Sequence, residues 1–387
     1  MKTQPSYLKL YRKLREQITA GIYSAGDRLP SKRTLADHEN VSVITVEHAL
    51  ALLEEEGYVE MKERSGCYVI YRREHFFAAP DTGAHEETTF GDTAFSESVK
   101  VRKTGFERET KAVFSAISDV EERRPLPVAP GTSLFPFPTF ARVMRKVLTE
   151  YGEQLLTKSD PFGTPVLREV LCGYLGRSRG IFVTPEQIVI GAGAEYLYSL
   201  VVQMIGRGRI YALEDPSYEK IRMVYEANGA ACDFLRMGED GILSEELMRT
   251  NAGALHVTPF RSYPSGITAG ASKRREYLAW AEQRKAYIIE DDYDSEFTLQ
   301  SKSVDTLFSL EPADSVLYIN TFSRTIAPSM RLGYMILPAN CCEMLKEKIA
   351  FYSCTVPVFE QYVLAEFIRS GEFERHINRV RRQLRRG

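Results

Sequence analysis

The chain has 387 residues, 44% hydrophobic and 26% charged, with 50 Lys+Arg against 52 Asp+Glu and a formal net charge of -2. That length is too great for one small domain and supplies core for two, while the near-neutral charge gives no global pull toward nucleic acid, so any DNA contact has to come from a local basic surface. No apolar run approaches the roughly 20 residues of a membrane span, the Met-Lys-Thr-Gln start lacks the apolar stretch of a secretory signal, and the six cysteines show no CxxC spacing; a cytoplasmic globular protein with free thiols, no membrane association and no metal site is expected.

From Ser6, the apolar residues Tyr7, Leu10, Tyr11, Leu14 and Ile18 recur at the spacing of one helical face, and Gly21 stops the helix. A second short helix opens after Pro30 with Ser31 as its cap. A third opens at Ser42, runs through Val46, Leu50 and Leu53, and stops at Gly57. Two short strands, Tyr58 to Met61 and Cys67 to Tyr71, flank the polar turn Lys62-Glu63-Arg64-Ser65-Gly66. Three helices and a hairpin make a winged helix-turn-helix, with a small helical docking domain as the alternative reading of the same periodicity.

The wording GDRLPSKRTLADHENVSVITVEHALALLEEEGYVEMKERSGCYV is similar to the GntR-type DNA-binding domain along its whole length. The resemblance implies double-stranded operator DNA as partner. It assigns DNA contacts to Lys32 and Arg33 around the PSxR element, to Ser42 and Thr45 at the start of the third helix, and to Arg64 and Gly66 at the wing. Hydroxyls and free amides at a helix N-terminus suit phosphates and base edges. Val43 stands where the family often has arginine, which leaves apolar contact with a thymine methyl in place of a phosphate or guanine contact.

Beyond Arg72 the composition shifts to Ala, Gly, Thr, Ser and acidic residues without a sustained period. The expected division is a DNA-binding domain over 1–73, a linker over 74–118 and a large domain over 119–387. In the large domain LFPFP leads into a helix and DPFGTPVLREVLCGYL into a Pro-started helix. From Ile188 onward strands such as IVI, RIYAL, ALHV and AYIIE alternate with helices, the pattern of an α/β fold with a mostly parallel sheet.

Three stretches of it can carry chemistry. GAGAEY follows a strand and opens a helix, so the amides of Gly193, Ala194 and Glu195 can cradle a phosphate; a tight turn into a packed helix is the alternative, and Tyr196 stands where a dinucleotide fingerprint needs glycine. EDDYDSEF follows the strand AYIIE and is acidic, but Phe297 stands where a calcium loop needs glycine. YINTFSRTIAPSMRLGYMIL runs strand, loop, strand and gathers Ser323, Arg324 and Arg331 where a sheet opens into a pocket, a grouping suited to a phosphate. For Arg331 a surface ion pair is the alternative, and for Tyr218 in EDPSYEK a place in the core.

The last stretch resembles the pyridoxal-phosphate loop of fold-type I aminotransferases, in the variant carried by MocR-type regulators of the GntR superfamily. The resemblance runs from about Pro127 to the end and implies pyridoxal phosphate as ligand. It assigns Asp291 to the pyridinium nitrogen, Tyr293 to the phenolic oxygen, Tyr218 to the ring, and Ser323, Arg331 and the amides near Ala194 to the phosphate. It also implies a head-to-tail homodimer and a small amine or amino-acid effector. Three departures accompany it. Arg324 takes the place of the Schiff-base lysine, and a guanidinium offers no free amine. Arg261-Ser262 replaces a His-Gln pair. HINRVRRQLRRG ends inside what reads as the helix leading to a small C-terminal domain, so a truncated large domain is expected. The expectation is a DNA-binding transcriptional regulator whose degenerate aminotransferase-like domain dimerises or senses an effector, with pyridoxal phosphate noncovalent or lost. A residual enzyme using Lys302 or Lys220, and a decayed product, are the alternatives.

Overall fold

The structure is a computed structural model that describes residues 6–62, 65–71, 134–297, 305–310 and 314–384. The expected linker, Arg64 and Lys302 lie outside the described residues. No described helix is long and apolar enough to cross a membrane.

The N-terminal unit contains α1 (Ser6–Thr19), α2 (Lys32–Glu39), α3 (Val43–Glu55), β1 (Val59–Lys62) and β2 (Gly66–Val69). Helix α1 buries Leu10, Tyr11, Leu14 and Ile18 as its spacing requires, against Leu35 of α2, Val46, Leu50 and Leu53 of α3, and Val59 and Val69 of the hairpin. Ser31 and Ser42 cap α2 and α3 by accepting from the Thr34 and Thr45 amides at 3.1 Å each. The strands pair antiparallel with Val59 opposite Val69, each strand's limits differing slightly from its sequence expectation.

The large unit continues with α4 (Phe137–Tyr151), α5 (Pro165–Ser178), β3 (Ile188–Gly191), α6 (Ala194–Ile205), β4 (Ile210–Asp215), α7 (Glu219–Ala227), β5 (Ala231–Gly238), β6 (Gly241–Ile242) and α8 (Ser244–Arg249). Then follow β7 (Ala254–Val257), α9 (Ala271–Arg284), β8 (Tyr287–Asp291), β9 (Val316–Thr321), β10 (Gly333–Ile336), α10 (Cys342–Glu347), α11 (Val358–Arg369) and α12 (Glu372–Leu384). Among the described residues the strands form an eight-stranded sheet in the order β3-β10-β9-β8-β7-β4-β5-β6. Its centre, β9-β8-β7-β4-β5, is parallel, and β10 and β6 pair antiparallel with their neighbours.

Successive strand residues face opposite sides, so the sheet feeds separate cores. Val189, Leu317, Ile319 and Met335 pack against α6 and α7, while Ile188, Tyr318 and Ile336 pack against α4, α5, α11 and α12. Around Trp280 of α9 a further cluster takes Leu255 and Ile288. The alternation expected from the sequence holds, with β5, β6 and α8 added; ACDFLRMG mixes exposed and buried positions at a sheet margin and carries no clean apolar run.

Candidate functional site

The N-terminal unit presents the start of α3 to solvent. Ser42, Val43 and Ile44 are exposed, and the Ser42 and Thr45 hydroxyls lie 2.8 Å apart, bonded to each other within the cap. Arg33 is exposed on α2, while Lys32 is tied to Glu47 of α3 at 3.0 Å, so its charge also braces the two helices. Gly66 opens β2 at φ +128°, and a Cβ there would lie 2.7 Å from Arg28 Nε. The wing is thus held close beneath the Arg28 guanidinium. Arg28 and the exposed Ile44 are not marked by the sequence pattern, because the exposure of Ile44 and the approach of Arg28 to the wing emerge only in the folded unit.

In the large unit the candidate residues converge at the C-terminal ends of the parallel strands, where α/β sheets place their ligands. Glycine 193 caps α6 at φ +88°, and a Cβ on it would stand 3.1 Å from the Arg331 guanidinium, so glycine lets the helix start and that arginine meet. Arg331 makes an ion pair with Glu195 in the first turn of α6, and Lys220 stands 3.6 Å from the same carboxylate. Tyr218 precedes α7, partly buried, with its ring edge-on to Tyr263 at 6.0 Å. Ser323 and Arg324 follow β9, both half-buried.

At the end of β8, Asp291 is buried and accepts from the Tyr198 hydroxyl of α6 through Oδ2. Its Oδ1 has no hydrogen-bond partner among the described residues. A buried carboxylate oxygen left open is costly, and it suits a cationic ring N–H. His256 of β7 lies beside the pair, its Nε2 3.7 Å from Asp291 and its Nδ1 2.7 Å from the Tyr225 hydroxyl. Burial and the Asp291 charge hold the Tyr198 phenol well above its ordinary pKa, so it stays a donor. Tyr198, His256 and Tyr225 were absent from the sequence reading, because they lie on separate helices and strands that meet only in the folded sheet.

The two replaced positions both have partners. Arg324 Nε stands 2.9 Å from Asp294 Oδ1, and Arg261 Nη1 stands 2.9 Å from Asp294 Oδ2. Arg261 holds the left-handed backbone region at φ +55°, uncommon for a side chain of its size, and its carbonyl accepts from the Tyr293 hydroxyl at 2.9 Å. The Arg324 guanidinium lies over the Tyr293 ring, 5.4 Å from its centre. Ser262 is buried and donates to Glu214 at 2.6 Å. Burial raises the Asp294 carboxyl and the two arginines oppose that shift.

These residues fit a phosphorylated pyridine ring: an anion site at the start of α6, an open carboxylate oxygen for the ring nitrogen, and aromatic walls at Tyr218 and Tyr293. They do not fit covalent attachment at position 324, where the side chain is a guanidinium paired with Asp294.

The family model for bacterial regulatory proteins of the gntR family matches residues 6–69. Along nearly its whole length, 98%, the chain is 32% identical to the HTH-type transcriptional regulator YdeL of Bacillus subtilis, covering 77% of that protein. It is 29% identical to the probable rhizopine catabolism regulatory protein MocR of Rhizobium meliloti, over 98% of this chain and 74% of that one. The large unit has the fold of a kynurenine aminotransferase from Pyrococcus horikoshii, with a TM-score of 0.61 at 21% identity over 72% of this chain and 74% of the other.

Proposed function

Because this chain belongs to the GntR family of transcriptional regulators, in the MocR-type branch that joins a helix-turn-helix to an aminotransferase-like domain, we propose that it binds operator DNA and senses pyridoxal phosphate without covalent attachment. Arg33, Ser42, Thr45, Arg64 and Gly66 serve DNA, with Lys32 bracing the helices beside them. Gly193, Ala194, Glu195, Ser323 and Arg331 serve the phosphate, Asp291 the ring nitrogen, Tyr218 the ring and Tyr293 the phenolic oxygen, with Arg324 at the mouth. When bound, the cofactor supplies an electrophilic aldehyde and an electron-withdrawing ring. This chain's residues orient it and hold its ring proton at Asp291. They provide no amine at position 324 to displace or return a proton, so the large unit works as a sensor and not as an aminotransferase.

The observation that carries this reading is Asp291: a buried carboxylate with one oxygen satisfied by Tyr198 and the other open. A phosphate held by the amides at the α6 start, that of Glu195 included, competes with the Glu195 carboxylate for Arg331, which couples ligand entry to that ion pair. The reading extends to a homodimer, with a small amine or amino acid as further effector. A gel-shift titration on the DNA upstream of its own gene, with and without pyridoxal phosphate, tests it. Binding that changes with the ligand is expected. Specific binding indifferent to it would remove the sensor role, and no specific binding would remove the regulator role.

A further inference from the structure

The two units touch through hydrogen bonds, an ion pair and one buried alanine. The carbonyl of Glu56, just past α3, accepts from the Ala271 amide at 3.0 Å and from Arg274 Nη2 at 3.3 Å, both on α9. Arg274 is 1% exposed, and its other terminal nitrogen donates to the Asp305 carbonyl. The Asp305 carboxylate in turn pairs with Arg15 of α1. Tyr11 of α1 donates to the Glu56 carboxylate at 2.6 Å, which fixes the turn that offers the carbonyl. Gly57 completes the fit: at φ +73° it passes close enough to α9 that a Cβ would lie 3.5 Å from Gly270 and Ala271. Ala271 is buried within the core of the N-terminal unit.

Two features give this contact a direction. It uses the C-terminal end of α3, while Ser42, Val43 and Ile44 stand exposed at the other end, about 20 Å away at ~1.5 Å per residue. And the segment bearing Asp305 is tied to β8: Glu290 accepts from the Leu307 amide at 2.8 Å and the Phe308 amide at 2.9 Å. Glu290 and Asp291 are consecutive on that strand, so one faces the contact's segment and the other the pocket.

We propose that Glu56, Ala271, Arg274, Asp305 and Arg15 form a seat that holds the winged helix with its reading end outward, that DNA is bound with the seat closed, and that Glu290 joins the seat to the pocket strand. The DNA part rests on the function proposed above. The free and bound protein then present the reading helix in one orientation, and a change at Asp291 reaches it through Glu290, the 305–308 segment and Arg274.

Hydrogen exchange on the full chain tests this. The amides of residues 270–275 and 54–58 are expected to be protected in the protein alone and to stay protected when a duplex is added at low salt, where any DNA-binding domain of this kind is retained. Arg15→Asp and Asp305→Arg should each speed exchange in both segments by about tenfold or more, and the double variant should restore protection. Glu290→Gln should loosen residues 305–308 and 270–275 together, although Glu290 touches neither face of the seat. Exchange in β7 and β9 separates local release from unfolding. Fast exchange at Ala271 in the unmodified protein, loss of protection on adding DNA, or a charge swap that restores nothing would overturn the proposal. If no duplex is bound, the regulator reading falls, and the protein-alone measurements still decide the seat.

Discussion

Arg324 and Arg261 close on the same carboxylate from two sides, each 2.9 Å from a different oxygen of Asp294. Both arginines stand where the family resemblance expects other residues, so the two departures are linked in space. Asp294 is nearly buried, while the arginines keep 32% and 58% of their side chains exposed, which weakens each pair by solvent screening. Asp294→Ala leaves two like charges facing each other and should lower stability by about 1–2 kcal/mol, read from urea unfolding midpoints. An unchanged midpoint would show that the cluster does not hold the pocket mouth.

Position 324 also separates noncovalent from covalent binding. Treating the protein with pyridoxal phosphate and then borohydride should leave no cofactor on the protein by mass. Arg324→Lys supplies an amine, and the same treatment should now attach one cofactor per chain, with a new absorbance band beforehand. Attachment to the unmodified protein would refute the noncovalent reading.

For DNA, Arg33→Ala should weaken operator binding and make its salt dependence shallower by roughly one unit of log-log slope, as expected for a lost phosphate contact. Ser42→Ala acts twice. It removes the acceptor for the Thr45 amide, costing about 1 kcal/mol of stability, and frees the Thr45 hydroxyl from its cap partner. Thermal unfolding and fluorescence anisotropy report the two effects separately.

Glu214 and Glu290 carry the pH prediction, since burial pushes both carboxyls up to about 8. Their folded values lie above the unfolded value near 4.5, so the folded state binds more protons between these limits. Their contribution is fully present below about pH 4.5 and is lost as pH rises toward 8, with a slope of at most about 1.4 kcal/mol per pH unit for each group. Replacing either with glutamine should flatten the stability profile over that window. The slope is the readout, because glutamine sets an N–H against the Thr258 or Phe308 amide and lowers stability at every pH.

Much was determined by the sequence alone. Helix faces, the serine caps, the wing glycine and the strand–helix alternation depend on contacts within a few residues, so the order of letters carries them. The strand–loop–strand path that carries Ser323, Arg324 and Arg331 was legible for the same reason, since one short loop between β9 and β10 holds them. Only the tertiary structure decided that Tyr198 and His256 stand beside Asp291, that Arg261 and Arg324 share Asp294, and that Glu56 meets Arg274 across 218 positions. Each of these pairs depends on which strands lie side by side and which face each residue takes, and no local pattern encodes strand order.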